Sequence, residues 1–216
     1  MFGKERGDNV EKYVFGDKNA KITLVQPTDE HEFQTLENEV RLIKELSGAD
    51  FRLIAFCVDD WNRDLSPAKA PAVFANAEFG GEGQKTLDAI TEEIKSENSP
   101  VYIGGYSLAG LFALWAAYRT SVFSGVAAAS PSVWFPGFTD FMQTNRICAE
   151  KVYLSLGNRE PNAKNPVLAS VGEHIKKAYA ALDENNVRCF LELNEGNHFR
   201  DSELRTAKAF AWLLNN

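Results

Sequence analysis

Apolar residues in this chain fall into short runs that alternate with segments of helical period. Lys21-Ile-Thr-Leu-Val25, Phe51 to Val58, Val101 to Tyr106, Val122 to Ala129 and Lys151 to Leu156 read as buried strands. Between them Phe33, Leu36, Val40, Ile43 and Leu46 recur at helical spacing, as do Leu87, Ile90 and Ile94, and later Val167, Val171, Ile175, Ala178 and Leu182. Each set lines one face of a helix. Gly48 stops the first, Pro100 forbids continuation of the second, and Asn165-Pro166 opens the third with a cap and a proline at the first helical position. Glu11 to Phe15 reads as a short edge strand turned by Gly16-Asp17, and Phe138 to Asn145 as a short helix. Cys189 to Leu193 alternates like a half-exposed edge strand, and a closing helix runs from Ser202 to Leu214.

Strands alternating with helices throughout predict one α/β domain over residues 1–216, a mostly parallel sheet with right-handed crossovers and helices on both faces. Such sheets bind ligands at the carboxyl ends of their strands. The loops Gln26 to Glu32, Asp59 to Gly81, Ser130 to Gly137, Gly157 to Asn165 and Asn194 to Phe199 therefore share an edge with Ser107.

Composition narrows the classes of function. A hydrophobic fraction of 44% and a charged fraction of 25% are those of an ordinary globule. A net charge of -7 with no basic cluster argues against nucleic acid or an anionic membrane as partner. The longest apolar run, Leu108 to Tyr118, is far shorter than the roughly 18 residues of a membrane helix. The N-terminus has no apolar segment behind its charges, so a cytoplasmic location is expected. Cys57, Cys148 and Cys189 lack metal or redox spacing and are expected as buried thiols; no metal or other cofactor is expected. Nothing in the sequence bears on oligomeric state.

The chemistry centres on Val101-Tyr-Ile-Gly-Gly-Tyr-Ser-Leu-Ala-Gly-Leu111, where an apolar strand breaks at glycines, presents one hydroxyl and resumes as a helix. A strand-to-helix turn flanked by small residues, here Gly105 and Ala109, holds its central residue in a strained conformation, so Ser107 reads as a nucleophile. The helix N-terminus aims the Leu108 amide at an oxyanion forming beside it. Gly104, Gly105 and Gly110 miss the dinucleotide spacing, and Leu111 and Phe112 after Gly110 exclude a phosphate-binding loop. A serine needs a base, and His198, directly after the last strand and at the right edge, meets that demand better than His31, which shares the edge. His174 lies within a helix, and His31 lies in the loop after an early strand. For the acid that orients the base the candidate is Glu160, three residues beyond the end of a strand at Gly157, with Glu195 and Asp183 as less suitable candidates and a Ser-His dyad without an acid as the alternative. Trp61, Arg63 and Trp134 are candidates for a substrate pocket.

The order serine, acid, histidine on alternating strands and helices resembles the α/β-hydrolase superfamily. Gly-Tyr-Ser-Leu-Ala-Gly, Ser-Leu-Gly-x-x-Glu and Glu-Gly-Asn-His-Phe resemble its small putative esterases, the branch related to esterase D and siderophore esterases. The resemblance runs from about Lys21 to the C-terminus. It implies a single-domain α/β-hydrolase fold acting on a small-molecule carboxylic ester, with Ser107 as nucleophile, His198 as base, Glu160 as acid and Leu108 as one oxyanion donor. Where the family often has His-Gly after its early strand, this chain has Gln26-Pro-Thr-Asp-Glu30, so the second donor falls on Thr28 or a neighbour, or on Trp61. That departure supports an alternative reading, a catalytically impaired hydrolase-fold protein that binds a small ligand. Ser130 to Lys151 is too short for a helical lid domain, which implies an open cleft.

Overall fold

The computed structural model describes residues 3–6, 11–17, 19–73 and 77–216, with 3–6 and 30–34 described by backbone alone. The side chains of His31 and Phe33 thus lie outside the described set. In chain order the elements are β1 (Gly3–Arg6), β2 (Glu11–Gly16), β3 (Thr23–Thr28), α1 (Glu30–Ser47), β4 (Arg52–Cys57), α2 (Trp61–Leu65), β5 (Lys69–Ala70) and β6 (Phe79–Gly80). They continue with α3 (Gly83–Ile94), β7 (Val101–Tyr106), α4 (Ser107–Arg119), β8 (Phe123–Ala129), α5 (Phe138–Thr144) and β9 (Lys151–Gly157). A 3₁₀ turn (Glu160–Asn162), α6 (Pro166–Ala169), α7 (Val171–Glu184), β10 (Arg188–Asn194) and α8 (Ser202–Asn215) complete the chain.

Eight strands form one sheet in the order β1-β2-β4-β3-β7-β8-β9-β10. The pairs β1/β2 and β2/β4 are antiparallel and every later pair is parallel. Alternation along the strands divides the core in two. Val25, Ile54, Phe56, Ile103, Val126 and Val152 face α3, α4 and α7. Leu24, Leu53, Ala55, Tyr102 and Tyr153 face α1 and α8. β3 and β7 are buried along their whole length, as a strand covered on both faces must be. β10, at the sheet's edge, keeps the half-exposed alternation its sequence predicts.

Five details differ from the expectation. The strand at Glu11 to Phe15, expected at the sheet's edge, is β2 and lies between β1 and β4. β3 continues through Pro27, although proline cannot donate to a ladder. Thr23 N–H donates to the Pro100 carbonyl on the β7 side, and the carbonyls of Ile22 and Thr28 face β4, so the Pro27 nitrogen points toward β7. Its pairing with β7 ends at Val25, so no ladder bond is lost there. Leu46 is exposed, at the end of a helix whose stripe is buried at Leu36 and Ile43. The helix after Asn165 breaks: the Ser170 hydroxyl donates to the Val167 carbonyl (2.6 Å), α6 ends, and Val167 is left exposed while Val171, Ile175, Ala178 and Leu182 are buried. Cys148 is exposed and Cys57 and Cys189 are only half-buried, so none is a core thiol.

The segment between β8 and β9 contributes the seven-residue α5, whose Phe138 and Met142 are buried in the core. Among the described residues no helix is long and apolar enough to cross a membrane.

Candidate active site

Ser107 begins α4 directly after β7 and has φ 55, a left-handed conformation costly for any side chain but glycine's. The turn fits because its neighbours are small. A Cβ on Gly105 would lie 2.6 Å from the Cβ of Ala109, and one on Gly110 would lie 3.0 Å from the Gly105 carbonyl oxygen. No side chain caps α4 at Tyr106, so its first-turn amides, Leu108 among them, are presented at the positive end of a helix thirteen residues long.

The loop after β10 brings His198 to this turn. Its Nε2 lies 2.9 Å from the Ser107 Oγ and its Nδ1 lies 2.8 Å from Glu160 Oε2. The loops carrying Glu160 and His198 are joined by their backbones: Asn158 N–H donates to the Asn194 carbonyl (2.8 Å) and Arg159 N–H to that of Gly196 (3.0 Å). This follows from β9 and β10 pairing in parallel through Gly157 and Asn194, which sets their exits side by side. Glu160 is buried, whereas the His198 side chain is 31% exposed, so the imidazole is accessible and the carboxylate is not. Asp183 lies at the far end of α7, and Glu195 is exposed and paired with Arg200.

Burial acts to raise the Glu160 carboxyl, but the hydrogen bond to His198, the charge of that ring and the Gly157 amide (2.7 Å) together hold it below the ordinary carboxylate value. Burial pushes the Tyr106 phenol up, so it stays protonated and donates to the His198 carbonyl (2.7 Å).

Three participants went unnoticed in the sequence. Arg205 of α8 is 1% exposed, and its Nη1 lies 3.1 Å from Glu160 Oε1, 3.1 Å from the Tyr106 hydroxyl and 3.2 Å from Ser130 Oγ. Its Nη2 donates to the carbonyls of Glu195 (3.2 Å) and Asn197 (3.0 Å). The signal was present: Arg205, Ala209 and Leu213 share one helical face, and a charge on an otherwise apolar stripe demands a buried partner. Ser132 places its Oγ 3.3 Å from that of Ser107, and its N–H donates to the Ser107 carbonyl (3.0 Å). Tyr106 is the third, and nothing in its sequence setting separates it from a core tyrosine.

The other candidates are distributed differently. Thr28 ends β3, and extending the register puts it level with Tyr106. Its carbonyl, however, accepts from Val58, so its amide faces β4 and turns away from Ser107. The donor role expected of Thr28 is therefore corrected; by the same alternation the next amide on the β7 side is that of Asp29. Trp61 opens α2 and packs, half-buried, against the core. Arg63 is held by Asp64 through Nε (2.7 Å) and Nη2 (3.0 Å). Trp134 is buried edge-on against Phe79 at 6.1 Å, a core-packing role rather than an open wall. Phe199, next to the base, is 90% exposed and meets the His198 ring edge-on at 5.6 Å. His174 of α7 pairs with Thr139 of α5 (3.1 Å). Among the described residues no group of three or more His, Cys, Asp or Glu could hold a metal ion.

No protein-family model matches the chain, and no curated protein is similar to it in sequence. Solved structures are similar in fold. An IroE-like serine hydrolase from Shewanella oneidensis superposes with a TM-score of 0.80 at 14% identity, over 99% of this chain and 80% of that one. The siderophore hydrolase EstA from Aspergillus nidulans gives 0.72 at 18% identity, over 100% and 94%. Est1E from Butyrivibrio proteoclasticus gives 0.63 at 14% identity, over 99% and 97%. Together with the sheet order, these likenesses establish an α/β-hydrolase fold.

Proposed function

We propose that the chain is a serine hydrolase that cleaves carboxylic esters through an acyl-enzyme. The observation that carries this reading is the continuous chain Ser107 Oγ, His198 Nε2, His198 Nδ1, Glu160 Oε2, with contacts of 2.9 and 2.8 Å, opening at a strained serine. A serine in an ordinary tight turn has no need of a base at hydrogen-bond distance or of a buried acid behind it. Among solved structures of similar fold are siderophore hydrolases, an enterobactin esterase and a ferulic acid esterase, which supports esters as the substrate class.

In this reading Ser107 Oγ attacks the ester carbonyl carbon while His198 Nε2 takes its proton. The carbonyl oxygen becomes an oxyanion facing the amides of Leu108 and Asp29. Collapse of the tetrahedral intermediate breaks the bond to the alkoxy oxygen, which leaves as the alcohol with the proton from His198. Water then gives a proton to His198 and attacks the acyl carbon; the acyl–Oγ bond breaks, His198 returns that proton to Ser107 Oγ, and the carboxylic acid is released. Glu160 fixes the tautomer that donates through Nδ1 and stabilises the imidazolium formed in each half-reaction.

A panel of esters varying acyl length, alcohol bulk and charge tests the proposal. Turnover by the wild type that Ser107→Ala and His198→Ala both abolish supports it. Hydrolysis that survives Ser107→Ala contradicts it.

A further inference from the structure

Resting on that reading of the site, we infer that Arg205 is a positioning residue, whose guanidinium locks the acid and base loops together and offsets the charge of Glu160. A single planar group reaches every segment that carries a reacting residue. It touches Tyr106, which precedes the nucleophile; Ser130, at the end of the neighbouring strand; Glu160 itself; and the carbonyls of Glu195 and Asn197, which lead into His198. Three acceptors surround Nη1 and two surround Nη2, while the buried Nε has no partner among the described residues; the two terminal nitrogens of a planar fork span these segments, which a single lysine ammonium does not. Ser130 has φ 41, so one strained residue is held directly against the guanidinium.

The charge matters as much as the geometry. Glu160 Oε1 lies 3.1 Å from Arg205 while Oε2 lies 2.8 Å from His198, so one carboxylate is shared between a permanent cation and the base. A carboxylate alone beside the imidazole would hold a proton on the pair more tightly. The guanidinium, paired with the other oxygen of the same carboxylate, offsets that negative charge. The other charged groups are engaged elsewhere. Glu195 turns outward to Arg200, Arg200 also meets Asp201 (3.3 Å), and Tyr153 and Lys208 (2.6 Å) both bind Glu192. Tyr106, protonated, also meets the guanidinium, and Tyr153 lies near enough to feel its charge.

The test compares wild type, Arg205→Lys and Arg205→Met by kcat, KM and the pH profile of kcat/KM on an ester that the wild type turns over. Arg205→Lys, which keeps the charge but loses the fork, should lower kcat about tenfold or more with KM held within about threefold, and leave the acid limb in place. Arg205→Met should lower kcat as well and move the acid limb about one pH unit upward. A folded Arg205→Met enzyme whose acid limb stays at the wild-type position overturns the inference, because a merely structural arginine predicts that result. If Arg205→Met does not fold, Arg205→Lys decides: wild-type kcat in that variant overturns the inference. A readout independent of ester turnover separates failure of this inference from failure of the hydrolase reading. Proton uptake by the Glu160–His198 pair, followed by NMR of the imidazole, should have a higher midpoint without the charge even if no ester is cleaved; equal midpoints overturn the inference.

Discussion

Gly105 and Ala109 are so close across the turn at Ser107 that a methyl group added to Gly105 would lie 2.6 Å from the methyl of Ala109. The strand and helix meet there with room for one Cβ, so the conformation of the nucleophile depends on a side chain that is absent. Gly105→Ala should destabilise the fold by about 1–3 kcal/mol, as overpacked cores do, and lower ester turnover in the molecules that remain folded. The double variant Gly105→Ala/Ala109→Gly removes the closest contact and should recover part of both. Thermal unfolding and kcat measured on the two variants check this, and a single variant as stable as wild type contradicts it.

A second expectation follows from the direction of the amides along β3. Asp29→Pro deletes the N–H on the Ser107 side and should lower kcat by about a hundred- to thousandfold, the usual cost of one oxyanion donor. Thr28→Val keeps its amide, which faces β4, and should leave kcat within about threefold of wild type. Equal kcat values in Asp29→Pro and wild type would remove Asp29 from the oxyanion hole.

The depressed carboxyl of Glu160 links stability to pH. A group ionised more readily in the native than in the unfolded chain stabilises the fold fully above its ordinary value of 4.5, and this contribution is lost as pH falls through the lower native value. Chemical denaturation from about pH 6 to about pH 3 should show the wild type losing more stability than Glu160→Gln, which has no carboxyl to titrate at this position. Identical losses in the two proteins would contradict a native Glu160 held ionised by its partners.

What the sequence made legible, and what it did not, divides along the range of the interactions. The buried strands, the stripe of α3 and the edge position of β10 follow from local periodicity, which the parallel sheet and its helices preserve. The serine turn was legible because its steric demand is confined to Gly105, Ser107 and Ala109, and Glu160 and His198 could be chosen because each follows a strand end on the same edge. Pro27 misled because its tolerance depends on the neighbouring strand ceasing to pair after Val25, a long-range fact. The direction of the Thr28 amide, toward β4, depends on that same strand parity. Arg205 could be suspected from its apolar stripe but not given partners, since Tyr106, Ser130, Glu160 and the His198 loop come from four different segments.

The central claim, that Ser107 is activated by His198, is tested most directly by intact-mass measurement after exposure to a fluorophosphonate, which reacts with an activated serine and needs no knowledge of the natural ester. The account predicts that the wild type gains the mass of one phosphonyl group, that Ser107→Ala gains none, and that His198→Ala gains it far more slowly. A wild type that stays unmodified, or a Ser107→Ala variant modified as readily as the wild type, would contradict it.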